Sequence, residues 1–501
     1  MFSVDIGNER SKAAYVDPAG NANIILNERG EPWTMSKLHY EQPNAPLIGI
    51  DAIDQGYVNP DLYIKNFKQK LGTTENLING NPPVTATDAA AAMIGHLKKM
   101  AEKQLGQQII ECVATCPANF RNDSKKALLE AFERNGLKVL RLLPEPTAAG
   151  IAYALNKGSD KICLVFDFGG GTFDVSILHI KGAQINILAT EGVSALGGND
   201  FNECLKKIVI EKAEAQLGKA LDLTDALFRH DIDQRIEAAK ISLNNRKNVS
   251  VVLHHHGNQA IVEVTQDEFH KATDHLIQQS LDALQKAVKA AGLTLKNIDH
   301  LVMVGGTSKL LYIQQKVADF TGLYPKTDID PDRAVAYGAA YACIAEMAKD
   351  GKTAKLRGQV IPAPEIFVRD VTAHDVGCCV IDNSSLKNCL INAAIIHKNT
   401  PIPCHRSDLF YLEHEDQIEA RIEILQGEAD ADRDDCLLIG ELALKNLPKE
   451  TCRSPRIQIE YIIDANGMIT ATATDKVSGT QQTVSVDYKK GMKPKNKPQA
   501  A

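Results

Sequence analysis

The sequence predicts an α/β domain built twice over around a shared cleft, followed by an all-β sandwich. Three observations carry this. Short apolar strands alternate with long amphipathic helices through the first 350 residues. A strand, an Asp-x-Gly turn and a second strand occur twice, at Asp5-Ile6-Gly7 and at Asp167-Phe168-Gly169, as a duplicated unit would show. Behind residue 370 the helical period gives way to the two-residue period of half-buried antiparallel strands.

In chain order, Asp88 precedes a helix predicted over 89–105, which Gly106 stops. Strands are predicted at 111–115, 162–168, 173–180 and 300–304, and helices at 124–134, 146–155, 200–216, 266–290, 310–320 and 331–348. Residues 351–369 hold Pro362 and Pro364 among charges and read as a linker. Beyond them, Ile418, Ala420, Ile422 and Ile424 share one face of 417–427. Ile457, Ile459, Tyr461 and Ile463 alternate, 464–467 turns, and Ile469, Ala471 and Ala473 alternate back. A turn near Ser478-Gly479 leads to Val484 and Val486, completing a meander. The predicted layout is a first domain over 1–350, a linker over 351–370, a sandwich over 371–488 and a basic tail over 489–501.

The 501 residues, 44% hydrophobic and 24% charged, suit two or three soluble domains. A net charge of −7 argues against nucleic acid as a partner. The one basic stretch, Lys489, Lys490, Lys493, Lys495 and Lys497 with Pro494 and Pro498, reads as a disordered, solubilising tail. No stretch is long and apolar enough for a membrane span, and residues 1–7 run straight into a strand, so the expectation is a cytoplasmic protein without a membrane partner. The eleven cysteines lack regular spacing and read as reduced core thiols.

Gly169, Gly170 and Gly171 free the backbone for unusual conformations and close approach to an anion. Successive N–H groups there form a nest for phosphate oxygens, and Thr172 adds a hydroxyl. Asp167, beside those phosphates, makes sense through a cation, which points to Mg²⁺ with bridging waters; Asp5 would act likewise from the other half. Val304-Gly305-Gly306-Thr307-Ser308, between a strand and a helix, is a further backbone-rich signal for a nucleotide. Neither a Rossmann G-x-G-x-x-G nor a Walker G-x-x-x-x-G-K-[ST] is present.

Residues 167–176 (DFGGGTFDVS), 143–149 (LPEPTAA), 197–201 (GGNDF), 304–306 (VGG) and 331–340 (PDRAVAYGAA) resemble the heat shock protein 70 chaperone family, whose bacterial type is DnaK. Asp370-Val371-Thr372, 399–403 (NTPIP), 425–428 (LQGE) and 463–467 (IDANG) resemble its peptide-binding sandwich. The resemblance covers residues 2–487. It implies a duplicated actin-like ATPase domain before the sandwich, and a cycle in which ATP binding opens the peptide site and slow hydrolysis to ADP closes it. Unfolded or extended polypeptides are the implied clients, with a J-domain co-chaperone and a nucleotide exchange factor as further partners.

Carried over by that resemblance, Gly169, Gly170, Gly171 and Thr172 hold phosphates, with Gly7, Asn8, Gly197 and Gly198 beside them. Asp5, Asp167 and Glu145 organise Mg²⁺ and its waters, and Asp174 helps with water and potassium. Lys68 reaches the γ-phosphate and stabilises transition-state charge. Glu237 and Lys240 bracket ribose and adenine, with Ile241 and Asn244 as further nucleotide contacts; Gly305, Gly306 and Lys309 form the adenosine loop, with Asp332 nearby. Pro117, Lys125 and Asp370 fall where the family couples nucleotide state to the linker. Phe410, Ala420, Ile422 and Met468 align with hydrophobic positions of the peptide pocket.

Four departures stand out. Asn8 and Glu9 replace two threonines of the opening loop. A unit charge about 6 Å from a like charge costs about 3 kcal/mol at an effective dielectric near 20, so Glu9 is expected to turn away or pair with Arg10 or Lys12, and hydrolysis to be weakened with binding retained. Ile241 and Lys309 stand where many members carry arginine. The linker, Ile366-Phe367-Val368-Arg369-Asp370, lacks the family's leucine run. The chain ends soon after Tyr488, leaving no length for the family's helical lid, and the loop within 378–391 is longer than usual. These departures keep a second reading open, a nucleotide-sensing scaffold or co-chaperone with little turnover. His254-His255-His256 is expected to be an exposed edge strand whose rings point to alternate faces, and Trp33, the one tryptophan, is a convenient reporter.

Overall fold

The computed structural model describes residues 2–42, 45–79, 82–157, 160–326, 330–382, 389–414, 416–449 and 454–485. The predicted basic tail, Val486 and the middle of the long 378–391 loop lie outside them. Two units emerge, residues 1–120 with 124–369, and residues 121–123 with 370–501.

In the first unit, β1 (Phe2–Asp5), β2 (Arg10–Val16), β3 (Ala22–Ile24), β4 (Glu111–Cys116) and β5 (Lys138–Pro144) form one sheet in the order β5-β4-β1-β2-β3. A second sheet is built from β6 (Lys161–Phe168), β7 (Phe173–Lys181) and β8 (Gln184–Val193). A separate hairpin of β9 (Asn248–His255) and β10 (Asn258–Thr265) intervenes before β11 (His300–Val304) joins that second sheet beside β6. The two sheets share one plan. β1 and β6 each lie between a parallel neighbour, β4 or β11, and an antiparallel hairpin partner, β2 or β7. The hairpin turns are the two Asp-x-Gly segments of the sequence.

The helices are α1 (Ala86–Leu105), α2 (Asn122–Glu133), α3 (Glu145–Lys157), α4 (Gly198–Leu217), α5 (Ala226–Leu243), α6 (Gln266–Ala290), α7 (Leu311–Thr321) and α8 (Ala334–Lys349). α1 starts three residues before its predicted position. Thr85 is the N-cap and Asp88 the third helical residue: Asp88 accepts the Thr85 N–H at 2.7 Å while the Thr85 hydroxyl accepts the Asp88 N–H at 3.3 Å. Several elements escaped prediction, among them α5, β5, β8, β13, β14, β15, β17 and all of the β9–β10 hairpin but the edge strand expected at His254-His255-His256. The first sheet buries Phe2, Val4 and Ile6 with Met93, Leu97 and Phe132; the second buries Phe166, Phe168, Phe173 and Phe201. Among the described residues ten cysteines are free thiols.

The linker forms β12 (Phe367–Val371), whose Phe367, Val368 and Arg369 pair in parallel with Gln184, Ile185 and Asn186 at the edge of the second sheet. Backbone pairing does not require leucine, so the altered linker sequence still docks.

The second unit holds β13 (Asp375–Asp382), β14 (Cys389–Ile396), β15 (Cys404–Phe410), β16 (Glu419–Gly427), β17 (Leu437–Lys445), β18 (Ile457–Ile463), β19 (Ile469–Asp475) and β20 (Gln481–Ser485). They make two antiparallel sheets, β14-β13-β16-β17 and β15-β18-β19-β20, around one core. Tyr461 is fully buried in it and donates its hydroxyl to Gly377 O of the opposite sheet at 2.8 Å. Ile418, expected on the inner face, precedes β16 and is exposed.

Arg456 forks onto both carboxylate oxygens of buried Asp475 at 2.7 Å, and its Nη1 also donates to Pro448 O. That pairing, aided by the Ser478 hydroxyl and N–H, holds Asp475 well below the usual carboxylate range. A depressed folded-state pKa stabilises fully above the unfolded value near 4 and loses that stabilisation as pH falls. Asp475→Asn should therefore cost about 3 kcal/mol at pH 7 and progressively less below pH 4. Chemical denaturation at a series of pH values checks this; a penalty that does not vary with pH contradicts it.

Candidate nucleotide site

The two Asp-x-Gly turns face each other. β1 delivers Asp5, and the turn after it carries Gly7, Asn8 and Glu9; β6 delivers Asp167, and the turn after it carries Gly169 to Thr172. Rings of Phe168 and Phe173, 5.1 Å apart at the two roots of the second turn, brace it against the core. None of Gly169, Gly170 and Gly171 has a left-handed φ. Close approach is what demands glycine here: a Cβ on Gly171 would stand 2.1 Å from Asn8 Nδ2 and 2.4 Å from Gln69 Nε2. The turn is tied down from outside. Thr307 Oγ1 and Gly198 N donate to Gly169 O at 2.7 and 3.1 Å, Asn199 N donates to Gly170 O at 2.8 Å, and Gln69 Nε2 donates to Gly171 O at 2.8 Å. Gly197 N in turn donates to Asp200 Oδ2 at 2.7 Å, which fixes the start of α4.

These bonds consume carbonyls and leave donors. Among the described residues the N–H groups of Gly170 and Gly171 have no protein acceptor. Asn8 is 8% exposed, and neither its amide nitrogen nor its oxygen finds a partner. Buried polar groups without partners are expensive. A polyphosphate would satisfy this set: two backbone N–H groups, the Thr172 hydroxyl and the Asn8 amide nitrogen.

Below the turns lies a buried charge cluster. Lys68 donates to Glu145 Oε1 at 2.6 Å, with both side chains nearly solvent-free. Thr115 Oγ1 donates to Asp5 Oδ1 at 2.9 Å, and Lys12 stands 3.8 Å from Asp5 Oδ2. Asp174 accepts the Asn119 N–H at 3.2 Å, two residues after buried Pro117. Burial, then the nearby Glu145, Asp174 and Asp5 charges, push Asp167 far above the ordinary range. Burial followed by Glu145 pushes Asp174 up to about 8. Burial also raises Glu145, against the pull of Lys68. For Lys68 burial opposes the charge, but Glu145 and Asp5 outweigh it and raise its pKa. Four carboxylates face two ammonium groups, and three of the four resist ionisation. A divalent cation is the group whose charge relieves them, and oxygen donors are what Mg²⁺ takes, so these residues fit it.

The residues expected on the adenosine side come from α5, the loop after β11 and the approach to α8. Lys240 Nζ donates to Gly198 O at 3.2 Å and to Glu237 Oε2 at 2.8 Å; Asn202 Nδ2 donates to the same Glu237 oxygen at 2.6 Å. Burial works against the Glu237 charge, but Lys240 prevails and lowers its pKa. Asn244 Nδ2 donates to Lys309 O at 3.2 Å, and its Oδ1 accepts the Leu311 N–H at 2.7 Å. Gly305 takes φ +84°, and Ile241 presents an exposed apolar side chain. Lys309 is not free as an arginine substitute, because it pairs with Asp332, which Arg10 also approaches at 3.8 Å.

Glu9 corrects the expectation that it pairs with Arg10 or Lys12. Its partner is Lys37, at 2.7 Å. Arg10 instead lies over the Trp33 ring, 4.5 Å from its centroid. Lys37 is buried and comes from a loop between short strands, so no spacing rule could have named it. Gln69 and Thr115 were missed for the same reason, and Lys12 and Thr307 were named without the partners they have here. Of the remaining candidates, Lys125 lies half-buried on the first turn of α2 and Asp370 is buried in β12. Ala420 and Ile422 point into the sandwich core and Phe410 packs against it. Arg456 bonds both Phe410 O and Pro448 O, which places Phe410 at the end of the sandwich near Leu447 and Ile418. Met468 sits in the turn at the other end of β18, next to the Ile463–Ile469 pair, so the structure does not bring it to Phe410.

A family model described as Hsp70 protein matches residues 73–499. Curated relatives named chaperone protein DnaK, from Thermotoga neapolitana and Thermotoga maritima, are 32% identical over 497 residues, covering 97% of this chain and 80% of theirs. With these matches along nearly its whole length, the chain belongs to the Hsp70 family.

Proposed function

We propose that this protein is an ATP-dependent chaperone, in which an actin-like nucleotide domain hydrolyses ATP to ADP slowly and a β-sandwich holds extended polypeptide. The observation that carries this is the facing pair of turns: unpartnered donors suited to phosphate lie above buried carboxylates suited to Mg²⁺. When bound, Mg²⁺ would neutralise charge developing on the phosphates. Gly170, Gly171, Thr172 and Asn8 hold the phosphate oxygens. Asp5, Glu145, Asp167 and Asp174 hold the cation through water, and Asp174 extends to potassium. Lys68 exchanges Glu145 for the γ-phosphate and stabilises the transition state. Glu237, Lys240, Ile241, Asn244, Gly305, Gly306, Lys309 and Asp332 clasp the nucleoside.

Coupling runs through Pro117, Lys125 and Asp370 in this reading. The Asn119 N–H on Asp174 supports it, since the turn after Pro117 touches the carboxylate cluster directly. The docked linker strand supports it too. Phe410, Ala420 and Ile422 are the pocket candidates that lie near one end of the sandwich. A J-domain co-chaperone and an exchange factor would regulate the cycle in the cytoplasm. Among the described residues no helix is long and apolar enough to cross a membrane.

Single-turnover hydrolysis of labelled ATP by the isolated nucleotide complex tests the enzyme reading. Wild type should convert bound ATP to ADP, and Lys68→Ala should retain ATP while losing about 100-fold or more in rate. ATP intact in both would leave a nucleotide-held binding module. The opening loop allows a second check. Asn8→Thr with Glu9→Thr should raise turnover several-fold, and unchanged turnover would overturn the idea that Asn8 and Glu9 slow the chemistry. Glu9→Gln alone strands the buried Lys37 ammonium and should cost about 2 kcal/mol. Adding Lys37→Met should recover most of that in thermal unfolding, and failure to recover would show the pair to be incidental.

A further inference from the structure

We propose that Asp225, His255 and His256 form a site for a borderline-soft divalent metal, zinc(II) foremost, at the tip of the β9–β10 hairpin. The expectation of an edge strand with alternating rings holds only as far as His255. β9 ends there, and His256-Gly257 is a two-residue turn in which both residues take left-handed φ, +47° and +74°. That turn folds the His256 ring back beside His255, with ring centroids 4.0 Å apart. Asp225, the N-cap of α5, brings a carboxylate to the same place. One donor atom from each of the three lies within 4.8 Å of the other two.

His255 is the independent signal. It is 6% exposed, it packs 4.5 Å from the Phe228 ring, and neither Nδ1 nor Nε2 has a hydrogen-bond partner. A buried imidazole normally satisfies at least one nitrogen, and a second-row amide or carbonyl would do so cheaply. A metal ion does so here without any further protein group. Asp225 can serve two roles at once: Oδ1 accepts the Leu227 and Phe228 N–H groups at 2.9 and 3.2 Å, and Oδ2 is engaged by no protein donor among the described residues. The cap bonds hold the carboxylate in orientation, as outer-shell donors do for metal ligands.

Two imidazoles and one carboxylate suit zinc and its first-row neighbours and do not suit Mg²⁺ or Ca²⁺, which take oxygen. Tetrahedral zinc with bonds near 2.1 Å sets its ligand atoms about 3.4 Å apart, so donor atoms now within 4.8 Å of one another would draw together on binding. A water takes the fourth position. Bound metal would staple the hairpin tip to the N-terminus of α5.

The test uses the full chain, freed of metal by chelation and kept in excess Mg²⁺, titrated with cobalt(II) and then zinc(II). One equivalent of cobalt should bind with visible d–d absorption, lack a near-ultraviolet thiolate band, and be displaced by zinc. His256→Gly, at a backbone position glycine accepts readily, should weaken binding by about tenfold or more, and His255→Gln likewise. Asp225→Asn keeps the helix cap and should also weaken it, which keeps the test decisive if His255→Gln fails to fold. A thiolate band, or an affinity that His256→Gly and Asp225→Asn leave unchanged, overturns the proposal and assigns any bound metal elsewhere.

Discussion

The ion pair between Lys68 and Glu145 is the interaction around which the first unit is organised. It lies where two sheets of one plan present their hairpin turns to each other, and it is buried with three further carboxylates. Bringing so much like charge out of water is unfavourable, and a hydrophobic cluster in its place would be more stable. The arrangement persists because the surrounding framework dictates it. Asp5 and Asp167 sit at strand ends fixed by neighbours on both sides. Glu145 opens α3, and α3 is clamped by α8 so closely that a Cβ on Gly338 would meet Ala148 O at 1.7 Å. Backbone geometry thus holds acidic groups together against their own repulsion, which is the preorganisation phosphoryl transfer requires.

The altered opening loop shows how the same framework absorbs a substitution. A glutamate beside a polyphosphate position would be costly if it were free. Glu9 is instead drawn sideways onto Lys37, a buried ammonium that needs an anion of its own. Asn8, with no such partner, stays in the cleft with its amide unsatisfied. One residue of the departure is neutralised and the other is left to the ligand. The adenosine side shows a similar compensation. Lys309 cannot imitate a stacked arginine and is held by Asp332, and the apolar side chain of Ile241 remains exposed.

The second unit depends on a different principle. Its two sheets alternate apolar residues inward, and two buried polar sets are fully paired: Tyr461 on Gly377 O, and Arg456 on Asp475 and Pro448 O. Fully satisfied buried polar groups specify one packing, whereas half-satisfied ones destabilise. The Tyr461 and Arg456–Asp475 sets obey this rule, while Asn8 in the candidate nucleotide cleft and His255 at the tip of the β9–β10 hairpin break it. Departures from polar satisfaction are where ligands are to be sought.

Much of this was legible in the sequence alone. The period of apolar residues located most helices and about half of the strands, because one-sided burial imposes 3.6 or 2.0 as the repeat. The Asp-x-Gly turns marked the two facing hairpins of the candidate site, because glycine spacing and a strand-end carboxylate are local features. The His-His-His run was visible too, but its meaning turned on one left-handed residue that a strand rule does not foresee. The α5 helix, whose apolar stripe is weak and whose lysine and glutamate face a cleft, carried no clear period. What only the tertiary structure decided were the partners: Lys37 for Glu9, Lys12 and Thr115 for Asp5, Gln69 and Thr307 for the glycine turn, and the separation of Met468 from Phe410. The reason is physical. Local periodicity reflects which face of an element leaves water, whereas a charge or hydrogen-bond partner is set by which distant segments the fold brings within about 3 Å.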